Sequence, residues 1–368
     1  MTQQDTPYTF PTVGDGPASY DSYHEEEVQL ALRNRAMPLE ALRYPVTPSG
    51  MHYLLVHFDV PYVDVQDWRL NVGGLVSKPM SLTLDDIKAR PSVTLAVTME
   101  CAGNGRALLH PRPLSQPWML EAVGTAEWTG VPLRGILEEA GMSQEAVEVL
   151  FVGLDRGIQG GEAQSYDRSL SVTESMRDEM LLVYEMNGEP LQPQHGYPLR
   201  LIVPGWYGMT SVKWLDRIEV IKEPFRGYQM EKTYRYSQTA DELGEPVSVI
   251  KVRALMIPPG IPDFMTRTRV VESGTVTLRG RAWAGRLSIS RVEVSTDGGA
   301  TWSDANLEEQ PSAFAWRGWS YVWDAKSGNH TLYVRATDSE ENVQPVEQAW
   351  TYQGMGNNMA QRIKVVVT

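Results

Sequence analysis

Cys101 stands in Met99-Glu100-Cys101-Ala102-Gly103-Asn104-Gly105-Arg106, directly after an apolar run that reads as a strand, and it is the chain's single cysteine. A glycine-rich junction between strand and loop lets the backbone approach a bound group closely, with N–H groups free to donate. Arg106, five residues on, favours the thiolate, the form that attacks or ligates. A buried structural cysteine is the bland alternative, and these residues alone leave it open.

A second cluster runs from His195-Gly196-Tyr197-Pro198-Leu199-Arg200 through Pro204-Gly205 to Ser211-Val212-Lys213-Trp214. Three cationic side chains and several hydroxyls among glycine and proline suit an anion-binding wall. A solvated basic face has the same composition. Lys213 is the least bland member, because Val212 and Trp214 would limit its exposure. Asp155 follows a buried-strand pattern, where a carboxylate is a turn residue or an acceptor for a ligand. His57, in Leu54-Leu55-Val56-His57-Phe58, is a core histidine or a ligand contact. Tyr234 lies in Glu231-Lys232-Thr233-Tyr234-Arg235, where two neighbouring cations would lower its pKa, although an exposed tyrosine has the same surroundings. These residues suggest an anion or phosphate pocket with one thiolate, and they name no reaction.

The elements that must position them fall into three segments. Residues 1–48 read as an irregular arm, with one stretch, EEEVQLALRNR, that could be helical. Residues 49–240 mix periods. Leu54 to Val60 and Val93 to Met99 look like strands, as do the shorter runs Phe151 to Leu154 and Leu199 to Val203. Leu133, Ile136, Leu137 and Ala140 have helical spacing that stops at Gly141, a C-cap glycine. Residues 241–368 alternate apolar and polar side chains between turn signals such as Asp297-Gly298-Gly299 and Ser327-Gly328-Asn329. Six of the 11 tryptophans fall there, which suggests an immunoglobulin-like sandwich. The fold class expected is α+β: a mixed α/β domain, then an all-β domain.

Lys+Arg 33 against Asp+Glu 46 gives −13, which argues against nucleic acid or an anionic membrane as a bulk partner. No run approaches the roughly 18 apolar residues of a membrane span. The first residues show no signal peptide, which favours the cytoplasm, while a processed chain would allow the periplasm. One cysteine excludes intrachain disulfides and all-cysteine metal sites, and no C-x-x-C-H haem motif occurs.

Together the residues resemble the sulfite oxidase family of molybdenum-cofactor enzymes. Cys101-Ala102-Gly103-Asn104 with Arg106 is similar to the family's metal-ligating segment. Glu185-Met186-Asn187-Gly188-Glu189-Pro190-Leu191 through His195–Arg200 is similar to its most recognisable stretch, and Ser211–Lys213 closes it. Ala282-Trp283, Arg291–Ser295 and Asp297-Gly298-Gly299 before Trp302 resemble its dimerisation domain.

The resemblance implies a molybdopterin whose dithiolene and Cys101 hold molybdenum. It implies His57, Asp155, His195, Arg200, Ser211, Val212 and Lys213 as cofactor contacts, and Arg106, Tyr234 and Arg286 as substrate-pocket residues. Implied partners are a sulfite-like oxyanion, a separate electron acceptor such as cytochrome c, and a second copy of the chain. The implied activity is oxidation of sulfite or a related sulfur compound. Reduction of another oxyanion such as nitrate, and an idle binding scaffold, are the alternatives. One departure stands out. Where the family reads aromatic-x-Arg-Asn-His, this chain reads Tyr53-Leu54-Leu55-Val56-His57, so Leu55 replaces a substrate-binding arginine. That variant looks closer to a bacterial sulfur-dehydrogenase branch.

Overall fold

The computed structural model describes residues 23–368. The acidic-to-basic stretch forms the helix Glu25–Arg33, with three glutamates in its first turn and an arginine in its last, as the helix dipole favours. The rest of the expected arm, up to residue 22, lies outside the described residues.

Two sheets build the part that carries the thiol and the basic cluster. The first has the order Met80–Leu82, Leu70–Gly74, Leu215–Ile221, Glu148–Gln159, Glu162–Ser171. The second orders Val93–Glu100, Val123–Pro132, Leu181–Met186 and Glu189–Pro190, with Arg200–Ile202 paired to Leu181–Met186. The pleat of this second sheet explains its continuous apolar runs. Leu182 and Leu201 face one core cluster, which includes Leu133, Ile136, Leu137 and Ala140 of the helix Leu133–Ala140. Leu181, Val183 and Ile202 face another, which includes Val97, Met99 and Cys101. Strands buried on both faces need apolar side chains at every position. The helix ends at Gly141, whose φ of 68° is the left-handed cap conformation.

The alternating segments form a sandwich. One sheet orders Arg253–Met256, Gly274–Trp283, Arg317–Ala325 and Asn306–Leu307. The other orders Ile261–Pro262, Arg269–Val271, Gln361–Val367, Gly328–Asp338, Ile289–Ser295 and Ser303–Asp304. Leu278, Trp319 and Trp323 of the first meet Val292, Leu332 and Val365 of the second in one core. The mixed α/β part and the β-sandwich are therefore both present, with few helices.

One expected strand is absent. Leu54 to Val60 is irregular, bends at His57 and Phe58, and makes only an isolated bridge, Leu54 to Arg35. Its backbone groups are taken by side chains instead: Asn34 Oδ1 accepts from Val56 N at 2.7 Å, and Lys213 Nζ donates to Leu55 O at 2.7 Å. A segment whose polar groups bond side chains has no ladder to join. Among the described residues no helix is long and apolar enough to cross a membrane.

Candidate functional site

Cys101 leaves the end of the strand Val93–Glu100 and sits where two openings meet. An inner cavity is lined by His52, Tyr53, Asp155, His195, Arg200, Ser211 and Lys213, among others. An outer groove of about 780 Å³ is lined by residues that include Arg106, Trp118, Gln353 and Met355. Leu55, His57, Cys101 and Tyr234 line both. The thiol is buried, and burial pushes its pKa up; the Arg106 guanidinium, the Gly103 N–H and the Trp118 indole pull it down.

The loop sequence explains how Arg106 comes so near. A Cβ on Gly103 would lie 2.6 Å from the guanidinium carbon, so only glycine leaves room. Arg106 Nε donates to Gln353 O at 3.0 Å, Nη1 to Gln116 O at 3.1 Å, and Nη2 contacts Met355 Sδ at 3.4 Å. The loop is fixed from behind by Glu100, which is fully buried. Asn104 Nδ2 and Trp283 Nε1 donate to its carboxylate at 3.0 and 2.8 Å, and Arg253 stands 2.8 Å away.

The basic cluster converges on the inner cavity from short turns. His195 ends the 3-10 turn Pro193–His195, whose cap Gly196 has φ 105°. Arg200 opens the next strand, its Nη1 donating to His195 O at 3.0 Å and its Nη2 to Ser211 O at 3.2 Å. Lys213 Nζ donates to Leu55 O at 2.7 Å and Gln194 O at 3.1 Å. Asp155 lies within the strand Glu148–Gln159, at a register shift between Val152 and Arg156. It is a bulge residue aimed inward and not a turn residue, as bulges near sites often are.

What these groups lack is as informative as what they hold. His52 Nε2, Asp155 Oδ1, His195 Nε2 and Arg200 Nε are buried with no hydrogen-bond partner in the protein. His52 Nδ1 faces the Tyr53 carbonyl at 3.0 Å and so carries the proton, leaving Nε2 as an acceptor. Burial holds His52 down at about 4 and His195 at about 2, with neighbouring cations adding to the effect. Burial also brings Arg200 down to about 10 and lowers Lys213, with Arg200 repelling it and Asp155 opposing. Buried orphans of both kinds, beside the mutually repelling cations Arg200 and Lys213, fit an anionic ligand that also carries ring donors and acceptors. A molybdopterin, with its phosphate and pterin ring, is such a ligand. Among the described residues no cluster of His, Cys, Asp and Glu could hold a metal by itself, which suits a single thiolate completing a metal held by a cofactor.

Tyr234 is buried and its φ is 58°, a strained conformation for a side-chain-bearing residue. Its sequence neighbours do not set its pKa as expected. Burial raises it to about 12, and the cations that oppose this are Arg168 and Arg106. The Arg168 guanidinium lies 5.5 Å from its ring centre.

His57, Cys101, Asp155, His195, Arg200, Ser211, Lys213, Arg106 and Tyr234 thus gather around the two openings. Two expected residues do not. Val212 is fully buried in the apolar core, as the alternation of its neighbours requires. Arg286 is held by Glu174, through Nη1 at 3.2 Å and a second contact from Nη2, and lines neither opening. The sandwich reaches the groove through Trp350, Tyr352, Gln353 and Met355 instead. Sequence reasoning missed these, along with His52, Trp118, Tyr166 and Arg168. The one available signal was the irregular stretch Gly354-Met355-Gly356-Asn357-Asn358 amid strands, since loops on rigid scaffolds host sites.

Residues 57–229 match the family described as oxidoreductase molybdopterin binding domain, and residues 246–368 the Mo-co oxidoreductase dimerisation domain. The chain is 34% identical over 341 residues to the mitochondrial sulfite oxidase of Homo sapiens, covering 88% of this chain and 62% of that protein. It is 33% identical over 367 residues to the NADH nitrate reductase of Solanum lycopersicum, covering 91% of this chain and 40% of that one. The chain therefore spans less than two thirds of the length of either relative. Among solved structures, the sulfane dehydrogenase SoxCD of Paracoccus pantotrophus superposes with a TM-score of 0.78 at 26% identity, over 96% of this chain and 92% of that one. With its thiol between an orphan-lined cavity and an open groove, the chain belongs to the sulfite oxidase family of molybdenum-cofactor oxidoreductases.

Proposed function

We propose that the protein oxidises a small sulfur compound by oxygen-atom transfer and passes the electrons to a separate acceptor such as a cytochrome. The observation that carries this reading is the position of Cys101, with the phosphate-suited cavity on one side and the Arg106 groove on the other. A molybdenum cofactor held there would supply a two-electron oxidant for oxygen-atom transfer. Cys101 would ligate the metal. Arg200, Lys213 and Ser211 would hold the cofactor phosphate, and His52, His57, His195 and Asp155 its ring. Arg106 would hold an anionic substrate by charge-assisted hydrogen bonds. Tyr234, protonated at neutral pH, can donate to a substrate oxygen.

The reductive reading, on nitrate or another oxyanion, draws support from the similarity to nitrate reductase. We place the arm at residues 1–48, the cofactor domain at 49–240 and the sandwich at 241–368. We also propose a two-fold dimer through the sandwich, the commonest form of homo-oligomer. Light scattering that gives about 41 kDa would refute the dimer.

Elemental analysis with sulfite and nitrate assays on artificial acceptors tests the activity. Molybdenum with sulfite-dependent reduction of ferricyanide is the expected result. Molybdenum with nitrate turnover and no sulfite oxidation would favour the reductive reading.

A further inference from the structure

The outer groove is much larger than a bare oxyanion needs. It holds about 780 Å³, and Leu55, Phe58, Leu114, Trp118, Trp350 and Met355 give it apolar walls around the approach to Cys101. Its permanent cations among the described residues are Arg106, Arg112 and Lys232. Arg112 is paired with Glu27 and lies over the Tyr23 ring, and Lys232 is exposed at the rim. That leaves Arg106 beside the thiol. A guanidinium has five N–H donors, and Arg106 directs Nε, Nη1 and Nη2 to one partner each. Two N–H groups remain beyond these three, enough to hold an anion of single charge. Leu55 supplies no second charge.

We propose that the substrate is an organic sulfinate, R–SO2⁻, whose apolar substituent lies along this groove. The inference rests on the sulfur-oxidising reading above and names its substrate class. A sulfinate has one charge, two oxygens, a lone pair on sulfur and a carbon substituent, and each feature has its counterpart in the wall. The reaction is R–SO2⁻ + H2O → R–SO3⁻ + 2 H⁺ + 2 e⁻. One S–O bond forms and the two O–H bonds of water break. Sulfur is oxidised by two electrons, the family's molybdenum cofactor being the oxidant. A one-electron acceptor of cytochrome type regenerates that oxidant in two steps, and the protons pass to solvent. Each buried methylene favours binding roughly fourfold, so an aromatic ring against these walls is worth at least about tenfold over a methyl group.

The test compares sulfite, methanesulfinate and benzenesulfinate as substrates of the molybdenum-loaded protein, with ferricyanide as acceptor and the reaction without protein subtracted. Benzenesulfinate should exceed both others in kcat/KM by about tenfold or more. Leu114→Asp should shrink the ratio of benzenesulfinate to sulfite. As a readout apart from turnover, benzenesulfonate should quench the fluorescence of Trp118 and Trp350 at concentrations where sulfate does not. If sulfite is oxidised and benzenesulfinate is no better than methanesulfinate, the sulfinate proposal is overturned and the sulfur-oxidising reading stands. If the molybdenum-loaded protein oxidises none of the three, that reading falls and the proposal with it.

Discussion

The Glu100 carboxylate, one residue before the thiol, stands 2.8 Å from the Arg253 guanidinium at the start of the sandwich. Both side chains are buried, at 0% and 1% exposure. The strand that delivers Cys101 is therefore clamped to the other domain at its last residue, and the thiol's position depends on how the two domains pack. Glu100→Gln should leave Arg253 as a buried charge without its counter-charge, a loss of about 3–5 kcal/mol. Urea denaturation of the variant should show that loss.

Lys213→Met should affect both stability and binding. The ammonium donates to Leu55 O and Gln194 O and faces Asp155, so its loss should lower the melting temperature of cofactor-free protein. Loss of one charge-assisted bond to a phosphate should weaken cofactor retention about ten- to a hundredfold, from about 1.5–3 kcal/mol. Pterin fluorescence released per mole of protein is the measurement.

Cys101→Ser should fold and retain pterin but turn over no substrate, because an alkoxide is a poor replacement for a thiolate on this metal. Full activity in the serine variant would remove the ligand assignment.

The histidines set an acid limit for the cofactor-free protein. Burial depresses His52 from 6.5 to about 4. The unfolded chain therefore binds a proton below about pH 6.5 that the folded state refuses. Stability should be full above that pH and fall as the pH drops towards 4, with His195 acting in the same direction. Melting temperatures of cofactor-free protein from pH 8 to 4.5 should show the decline. His52→Gln should reduce it.

Leu55→Arg restores a cation to a position that lines both the cavity and the groove. It should lower the KM for sulfite by roughly ten- to a hundredfold. It should also move selectivity away from apolar substrates. Arg106→Met should raise the KM for sulfite, and the two changes should partly compensate when combined, since both act on one anion.

The sequence by itself determined the strand before Cys101, the helix that stops at Gly141 and the alternating strands of the sandwich. Each depends on local periodicity and on turn residues whose backbone preferences act within a few positions. It also determined the chemistry available, since one thiol and a cluster of cations can be counted without a fold. Only the tertiary structure decided which of these groups meet. Asp155 became an inward-facing bulge because of a register shift between two strands, which no single strand encodes. The pKa of Tyr234 was raised by burial and opposed across space by Arg168 and Arg106, and was not set by its sequence neighbours. The segment Leu54 to Val60 lost its ladder to Asn34 and Lys213, side chains 22 and 158 positions away from their backbone partners. Gln353 and Met355 reached Arg106 from 247 and 249 positions away, while Arg286 was diverted to Glu174. Such pairings follow from how two domains pack, and packing is a property of surfaces assembled from distant parts of the chain.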